Sequence, residues 1–150
     1  LRDEVSSPLL VGPDEESSPW VAEVARLAQA PFTVMSKTRR GDRDVSVVMQ
    51  APGDDWTGRT PVLADDIAST GHTLIAAARA LCEAGLAPPV CVAVHALCEP
   101  DAEARLRAGG IARLVSCDSI AHPTNAIALG PELGRALRDF AAPPGTPRVP

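Results

Sequence analysis

The sequence predicts an α/β fold with a mostly parallel sheet flanked by helices on both faces. Short apolar runs recur along the chain, and they alternate with stretches that carry apolar residues at helical spacing. Strands made of continuous apolar residues are typical of parallel sheets, because both faces of such a sheet are covered. Ligands bind these sheets at the carboxyl ends of the strands, so we expect a site where a polar segment follows a strand.

Each predicted strand is an apolar run bounded by turn-forming residues. Gly12-Pro13-Asp14 ends the first run, and residues 52–55 predict a turn after the third. Residues 37–44 are charged and lack periodicity, so we expect an exposed, mobile loop there. The strands are expected at residues 8–11, 32–35, 45–49, 61–64, 90–97, 114–117 and 126–129.

The predicted helices carry apolar residues three and four positions apart and end at helix-stop signals. Ser17 or Ser18 caps the first helix, which has Pro19 in its first turn, and Gly85 lies just past the second. The helices are expected at about residues 18–30, 73–84, 101–108 and 131–140.

Composition narrows the class of protein. A chain of 150 residues with 45% hydrophobic and 22% charged residues is typical of one globular domain. The net charge of -5 argues against a nucleic-acid binder. The longest proline-free apolar run has nine residues, whereas a membrane span needs about 20. Four cysteines without a CxxC pair indicate buried, reduced thiols in a cytoplasmic protein.

Three segments are expected along the chain: a leading segment at 1–8, the domain at 9–140, and a proline-rich tail at 141–150 that does not pack. The first residue is Leu1 rather than Met, which suggests a piece of a longer protein.

Residues 62–73 connect an apolar strand to a helix. The polar residues of this segment suit a sugar phosphate. The strand ends in Asp65 and Asp66, and the turn Ser69-Thr70-Gly71 leads into the helix. Free N–H groups at a helix start, two hydroxyls and a glycine form a cradle for a phosphate. The carboxylates suit hydroxyl groups further along the ligand, or a bound metal. The alternative is an acidic turn before an ordinary helix, but paired charges at the end of a buried strand are costly without a partner.

This segment closely resembles the phosphoribosyl diphosphate (PRPP) binding motif of type I phosphoribosyltransferases and PRPP synthetases. The resemblance implies a phosphoribosyltransferase-like fold in which Asp65 and Asp66 contact ribose hydroxyls. The residues implied to bind the 5-phosphate are Ser69, Thr70, Gly71, His72 and Thr73. His72 departs from the pattern, since PRPP synthetases usually have a small residue there, often glycine. Its backbone N–H still serves the cradle.

The polar stretch after the second strand contains Lys37, the only lysine, two residues before Arg39. A lysine and an arginine on a mobile loop can close over a polyphosphate and neutralise charge that develops in phosphoryl transfer. The alternative is a solvated basic turn that Asp42 and Asp44 partly neutralise.

With its neighbours, this stretch resembles the catalytic flexible loop of ribose-phosphate diphosphokinases, and the chain resembles their carboxyl-terminal half over residues 9–140. The resemblance implies that Lys37 and Arg39 are catalytic, that Arg39 also contacts ribose 5-phosphate, and that Asp14 helps to hold Mg²⁺. The implied reaction moves diphosphate from Mg-ATP to the 1-hydroxyl of ribose 5-phosphate. It also implies a homo-oligomer whose ATP site is completed by an amino-terminal half or a neighbouring subunit.

Two other functions remain open. One is a phosphoribosyltransferase that joins a nitrogenous base to PRPP, although no base-recognising hood is evident. The other is a non-catalytic regulatory subunit, which should have lost Lys37 and Arg39. A zinc site at Cys91, His95 and Cys98 lacks a fourth ligand, and we expect none there.

Overall fold

A computed structural model describes residues 5–40, 44–49, 56–99 and 101–141. The strands are β1 (Pro8–Gly12), β2 (Phe32–Arg40), β3 (Asp44–Met49), β4 (Thr60–Ala68), β5 (Val90–Ala96), β6 (Arg113–Cys117) and β7 (Asn125–Ile127). The helices are α1 (Ser18–Ala28), α2 (His72–Glu83), α3 (Ala102–Ala108) and α4 (Gly130–Ala141), with a short 3-10 turn (Glu15–Ser17) before α1. Every predicted strand and helix is present.

The strands form one sheet in the order β3-β2-β1-β4-β5-β6-β7. All neighbours run parallel except β2 and β3, which pair antiparallel. The prediction of a mostly parallel sheet is therefore confirmed. Because the strands that carry the site are parallel, their carboxyl ends meet at one edge of the sheet.

Helices cover both faces of the sheet, as predicted. On one face Val21 and Ala25 of α1 pack with Leu10 and Val62. On the other face the buried residues come from α2, α3 and the strands, and include Leu9, Leu63, Leu74, Leu81 and Leu106. Alternation of side chains along each strand feeds both cores, since Leu9 and Leu10 point to opposite faces.

The basic stretch differs from its prediction. Lys37 to Arg40 extend β2, and Lys37 and Arg39 lie opposite Val47 and Val45 of β3. Within the predicted loop, residues 37–40 therefore belong to β2 and Asp44 to β3, because the apolar run of β3 offers the backbone a pairing partner. Residues 41–43 lie outside the described residues. The expected turn at 52–55 and the proline-rich tail from residue 142 lie outside the described residues.

Two further differences concern exposure. Cys91 and Cys117 are buried as predicted and Cys98 is half-buried, but Cys82 is exposed. It lies near the end of α2, beyond the residues of that helix that face the sheet. Helix α4 buries none of its residues, and Leu133, Leu137 and Phe140 are exposed. Among the described helices, none has both the length and the apolarity needed to cross a membrane.

Candidate functional site

The carboxyl end of β4 and the start of α2 line a small hollow that opens to solvent. The motif identified in the sequence supplies most of its lining. The residues around it are Asp65, Ile67, Ser69, Thr70, Gly71, His72, Thr73 and Leu74. The structure therefore brings Asp65 together with all five residues of the predicted phosphate cradle.

Gly71 fixes the shape of the turn. Its φ of +77° is a left-handed conformation that side chains disfavour. A Cβ atom at this position would lie 2.6 Å from Cδ2 of Leu106 on α3. The turn therefore needs glycine both for its backbone conformation and for its close approach to α3.

The start of α2 presents backbone donors to the hollow. The first backbone bond of the helix runs from the N–H of Ile75 to the carbonyl oxygen of Gly71, at 2.8 Å. The N–H groups of His72, Thr73 and Leu74 precede that bond, and the glycine cap has no side chain to accept from them. Such groups and the positive end of the helix dipole form a binding site for an anion.

Asp65 is a half-buried carboxylate at the rim of this cradle. Partial burial is the main reason that its pKa is raised to about 6. The backbone N–H of Asp66 donates to Oδ1 of Asp65 at 3.0 Å and lowers the pKa, while the charges of Asp66 and Asp14 raise it. The negative charge of Asp65 is therefore unfavourable in this position, and a hydroxyl donor or a cation beside it would stabilise that charge.

Asp66 does not line the hollow with Asp65. Strand β4 continues through both carboxylates to Ala68, where Ile67 and Ala68 pair with His95 and Ala96 of β5. Asp66 is exposed, and its side chain stays close enough to Asp65 to raise the pKa of that carboxyl. The sequence predicts that the strand ends at residue 64, whereas β4 continues to Ala68.

Asp14 follows β1, the strand next to β4. Its Oδ1 accepts from the N–H of Ser17 at 3.1 Å and caps the 3-10 turn. The other carboxylate oxygen has the chemistry that Mg²⁺ prefers, since this ion binds one or two carboxylates together with substrate oxygens. Within the described ranges, no group of three or more histidine, cysteine or acidic side chains is arranged to hold a metal.

The predicted catalytic residues, Lys37 and Arg39, lie on β2 two positions apart. Strand β2 pairs with β1 on the side away from β4. The backbone therefore places them on the second strand from Asp65.

Two lining residues were missed from the sequence, namely Ile67 and Leu74. Ile67 is two positions after Asp65 on the same strand, so a period-two pattern extended through the acidic pair would have found it. The side chains of His95 and His122 form hydrogen bonds outside the hollow. Nδ1 of His95 lies 2.9 Å from the Ser119 hydroxyl, and Nδ1 of His122 lies 2.7 Å from the Thr124 hydroxyl.

Comparison with known proteins identifies the family to which this chain belongs. The model of the phosphoribosyl transferase domain family matches residues 2–132, and the chain belongs to that family. Among curated relatives, a ribose-phosphate pyrophosphokinase of Maricaulis maris is 32% identical over 146 residues, covering 92% of this chain and 46% of the relative. One from Methanopyrus kandleri is 29% identical over 133 residues, covering 89% of this chain and 45% of the relative. The chain thus spans about half the length of these relatives.

Solved structures agree on the fold. The phosphoribosylpyrophosphate synthetase of Mycobacterium smegmatis superposes with a TM-score of 0.67 at 24% identity, covering 93% of this chain and 46% of that one. An adenine phosphoribosyltransferase of Saccharomyces cerevisiae gives 0.57 at 16% identity, covering 76% of this chain and 68% of that one. The expected phosphoribosyltransferase-like fold is therefore confirmed.

Proposed function

We propose that this chain is the ribose-5-phosphate-binding half of a ribose-phosphate diphosphokinase. The observation that carries the proposal is the hollow at the start of α2, where Asp65 adjoins a glycine turn and free N–H groups. The sequence relatives named ribose-phosphate pyrophosphokinase support the choice of reaction.

In the proposed complex the two ends of the ligand meet different chemistry. The N–H groups at the start of α2 and the hydroxyls of Ser69, Thr70 and Thr73 bind the 5-phosphate. Asp65 accepts hydrogen bonds from ribose hydroxyls, and Asp66 approaches the same sugar from the edge of the strand. The sugar phosphate is thereby oriented with its anomeric carbon away from α2.

The reaction transfers the β,γ-diphosphoryl group of ATP. The 1-hydroxyl of ribose 5-phosphate attacks the β-phosphorus and releases its proton to solvent, the bond from that phosphorus to the α,β-bridging oxygen breaks, and AMP leaves. Lys37 and Arg39 stabilise the negative charge on the transferred group. Asp14 would help to hold Mg²⁺, which neutralises phosphate charge when bound. No covalent enzyme intermediate is needed, and positioning supplies most of the catalysis.

The rest of the proposed enzyme lies outside this chain. A second half or a neighbouring subunit completes the ATP site, and the working form is a homo-oligomer, as the resemblance implies. Four free cysteines are consistent with a cytoplasmic location. Sedimentation velocity of the chain tests the homo-oligomer directly.

Titration calorimetry tests the proposed ligand. The chain is titrated with ribose 5-phosphate, with and without Mg²⁺, beside the double variant Asp65→Ala/Asp66→Ala. The control is Asp139→Ala, which removes an exposed carboxylate on α4. We expect the parent and the control to bind and the double variant to lose binding. Equal binding by all three would contradict the assignment of the acidic pair.

A further inference from the structure

His72 places a titratable side chain at the point where the proposed phosphate binds. It is exposed, lines the hollow, and is the first residue of α2 after the Gly71 cap. Within the described ranges, no residue hydrogen-bonds to its ring, so the imidazole is available to a ligand. A positive charge in the first turn of a helix is unfavourable, whereas a bound anion there reverses that preference.

We propose that His72 takes up a proton from solvent when a sugar phosphate binds, and that its imidazolium then pairs with the phosphate. This inference rests on the proposed function, because it requires the 5-phosphate at the start of α2. Histidine changes charge between pH 5 and 8, and hydrogen bonds from a charged donor to phosphate are stronger than neutral ones. The contribution of His72 to sugar-phosphate affinity is therefore larger in mildly acidic solution than at pH 8.

The charged groups described near His72 do not neutralise a bound phosphate. Among the residues whose side chains the structure describes, Asp65 is the other titratable residue that lines the hollow, and its carboxylate attracts an imidazolium but not a phosphate. Helix α3, which packs behind Gly71, carries charges that are ion-paired. Arg105 pairs with Glu99 and Asp101, and Arg107 pairs with Glu103. No charge of α3 is therefore left over to neutralise the phosphate.

The side chain of His72 adds chemistry that the small residue usual at this position, often glycine, does not have. The backbone N–H of His72 serves the cradle whichever side chain is present, so the imidazole adds a contact that glycine lacks. The addition depends on pH, which distinguishes it from the contacts of Ser69, Thr70 and Thr73. His72 therefore makes one contact of the cradle depend on pH.

Calorimetry at several pH values tests the proposal with ribose 5-phosphate as the probe. The variants are His72→Gln, which cannot carry the charge, and His72→Lys, which carries it throughout. The control is His122→Gln, which removes a histidine outside the hollow. Repeating each titration in two buffers of different ionisation enthalpy gives the number of protons taken up on binding. The ligand phosphate and Asp65 titrate in every variant, so the comparison between parent and variant at each pH, rather than the affinity of the parent alone, reports on His72.

We expect the parent to bind about three to five times more tightly than His72→Gln at pH 6, and equally at pH 8. The parent and the His122→Gln control should take up more protons than His72→Gln, while His72→Lys should bind tightly at both pH values. A parent-to-Gln ratio that does not change with pH, together with equal proton uptake, would overturn the role of His72 alone. Absence of binding in every variant would instead defeat the proposed function, and the inference with it.

Discussion

Asp65 holds the most unfavourable charge described in the site. Partial burial and the nearby carboxylates of Asp66 and Asp14 raise its pKa to about 6. A carboxylate in an unfolded chain titrates near pH 4. Because the folded-state pKa is the higher one, the folded chain binds the extra proton between about pH 4 and 6, and ionisation of Asp65 costs stability above that range.

The variant Asp65→Asn is therefore expected to be more stable than the parent at pH 7. The gain should be about 1 to 2 kcal/mol after allowance for solvent screening, and it should disappear below about pH 4, where the parent carboxyl is protonated. Urea unfolding of both proteins at pH 7 and pH 4 measures it. A gain that is the same at both pH values would show that charge is not the cause.

Gly71 is a second residue whose identity the geometry dictates. We expect Gly71→Ala to destabilise the fold by about 1 to 3 kcal/mol, because a side chain is strained at its positive φ. Gly85→Ala is the matched control, since Gly85 has a φ of +85° but nothing within 4 Å of its Cβ position. Thermal unfolding of both variants should therefore show the larger loss for Gly71→Ala, which must also displace Leu106. Equal losses of stability in the two variants would mean that displacing Leu106 costs no free energy.

At the scale of elements, the acidic motif could be located from the sequence, but the end of its strand could not. The apolar run stops at Ala64, and aspartate is rare in strands, so the pattern predicts an early end. Pairing of Ile67 and Ala68 with β5 extends β4 regardless. That tertiary pairing keeps Ile67 in the strand beside the hollow, although the local pattern predicts that the strand has already ended.

The end of β2 is likewise determined by pairing with a neighbouring strand, β3. Lys37 to Arg40 have no apolar periodicity, and only their pairing with Asp44, Val45, Ser46 and Val47 makes them a strand. The helices were better predicted, because α1 and α2 bury stripes of apolar residues whose spacing is visible in the sequence. Motifs that depend on contiguous residues were therefore found, while boundaries set by a neighbouring strand were not.

Helices α2 and α4 should respond differently to the same substitution. Leu81 of α2 is fully buried, and Leu81→Ala should cost about 2 to 5 kcal/mol through lost transfer energy and a cavity. Leu133 of α4 is 59% exposed, so Leu133→Ala should change stability by no more than about 0.5 kcal/mol. Chemical denaturation of the parent and of both variants measures the two changes in stability. A large loss from Leu133→Ala would mean that α4 is covered in solution.

At the scale of the whole molecule, this chain corresponds to about half of the curated relatives it matches. If the ATP site needs the other half, the chain should bind ribose 5-phosphate and yet release no AMP from Mg-ATP above background. Phosphorus NMR of the mixture follows AMP and PRPP together. Sustained AMP release that depends on ribose 5-phosphate and is lost in Lys37→Ala would show instead that one chain carries both substrate sites.

In the proposed function, the turn between β4 and α2 holds the phosphate of a sugar phosphate. An amide NMR titration of the chain with ribose 5-phosphate addresses it residue by residue. We expect saturable shifts that are largest from Ser69 to Leu74 and at Asp65, because the ligand contacts those N–H groups and that carboxylate. Saturable shifts confined to another part of the molecule, or none at millimolar ligand, would contradict the claim.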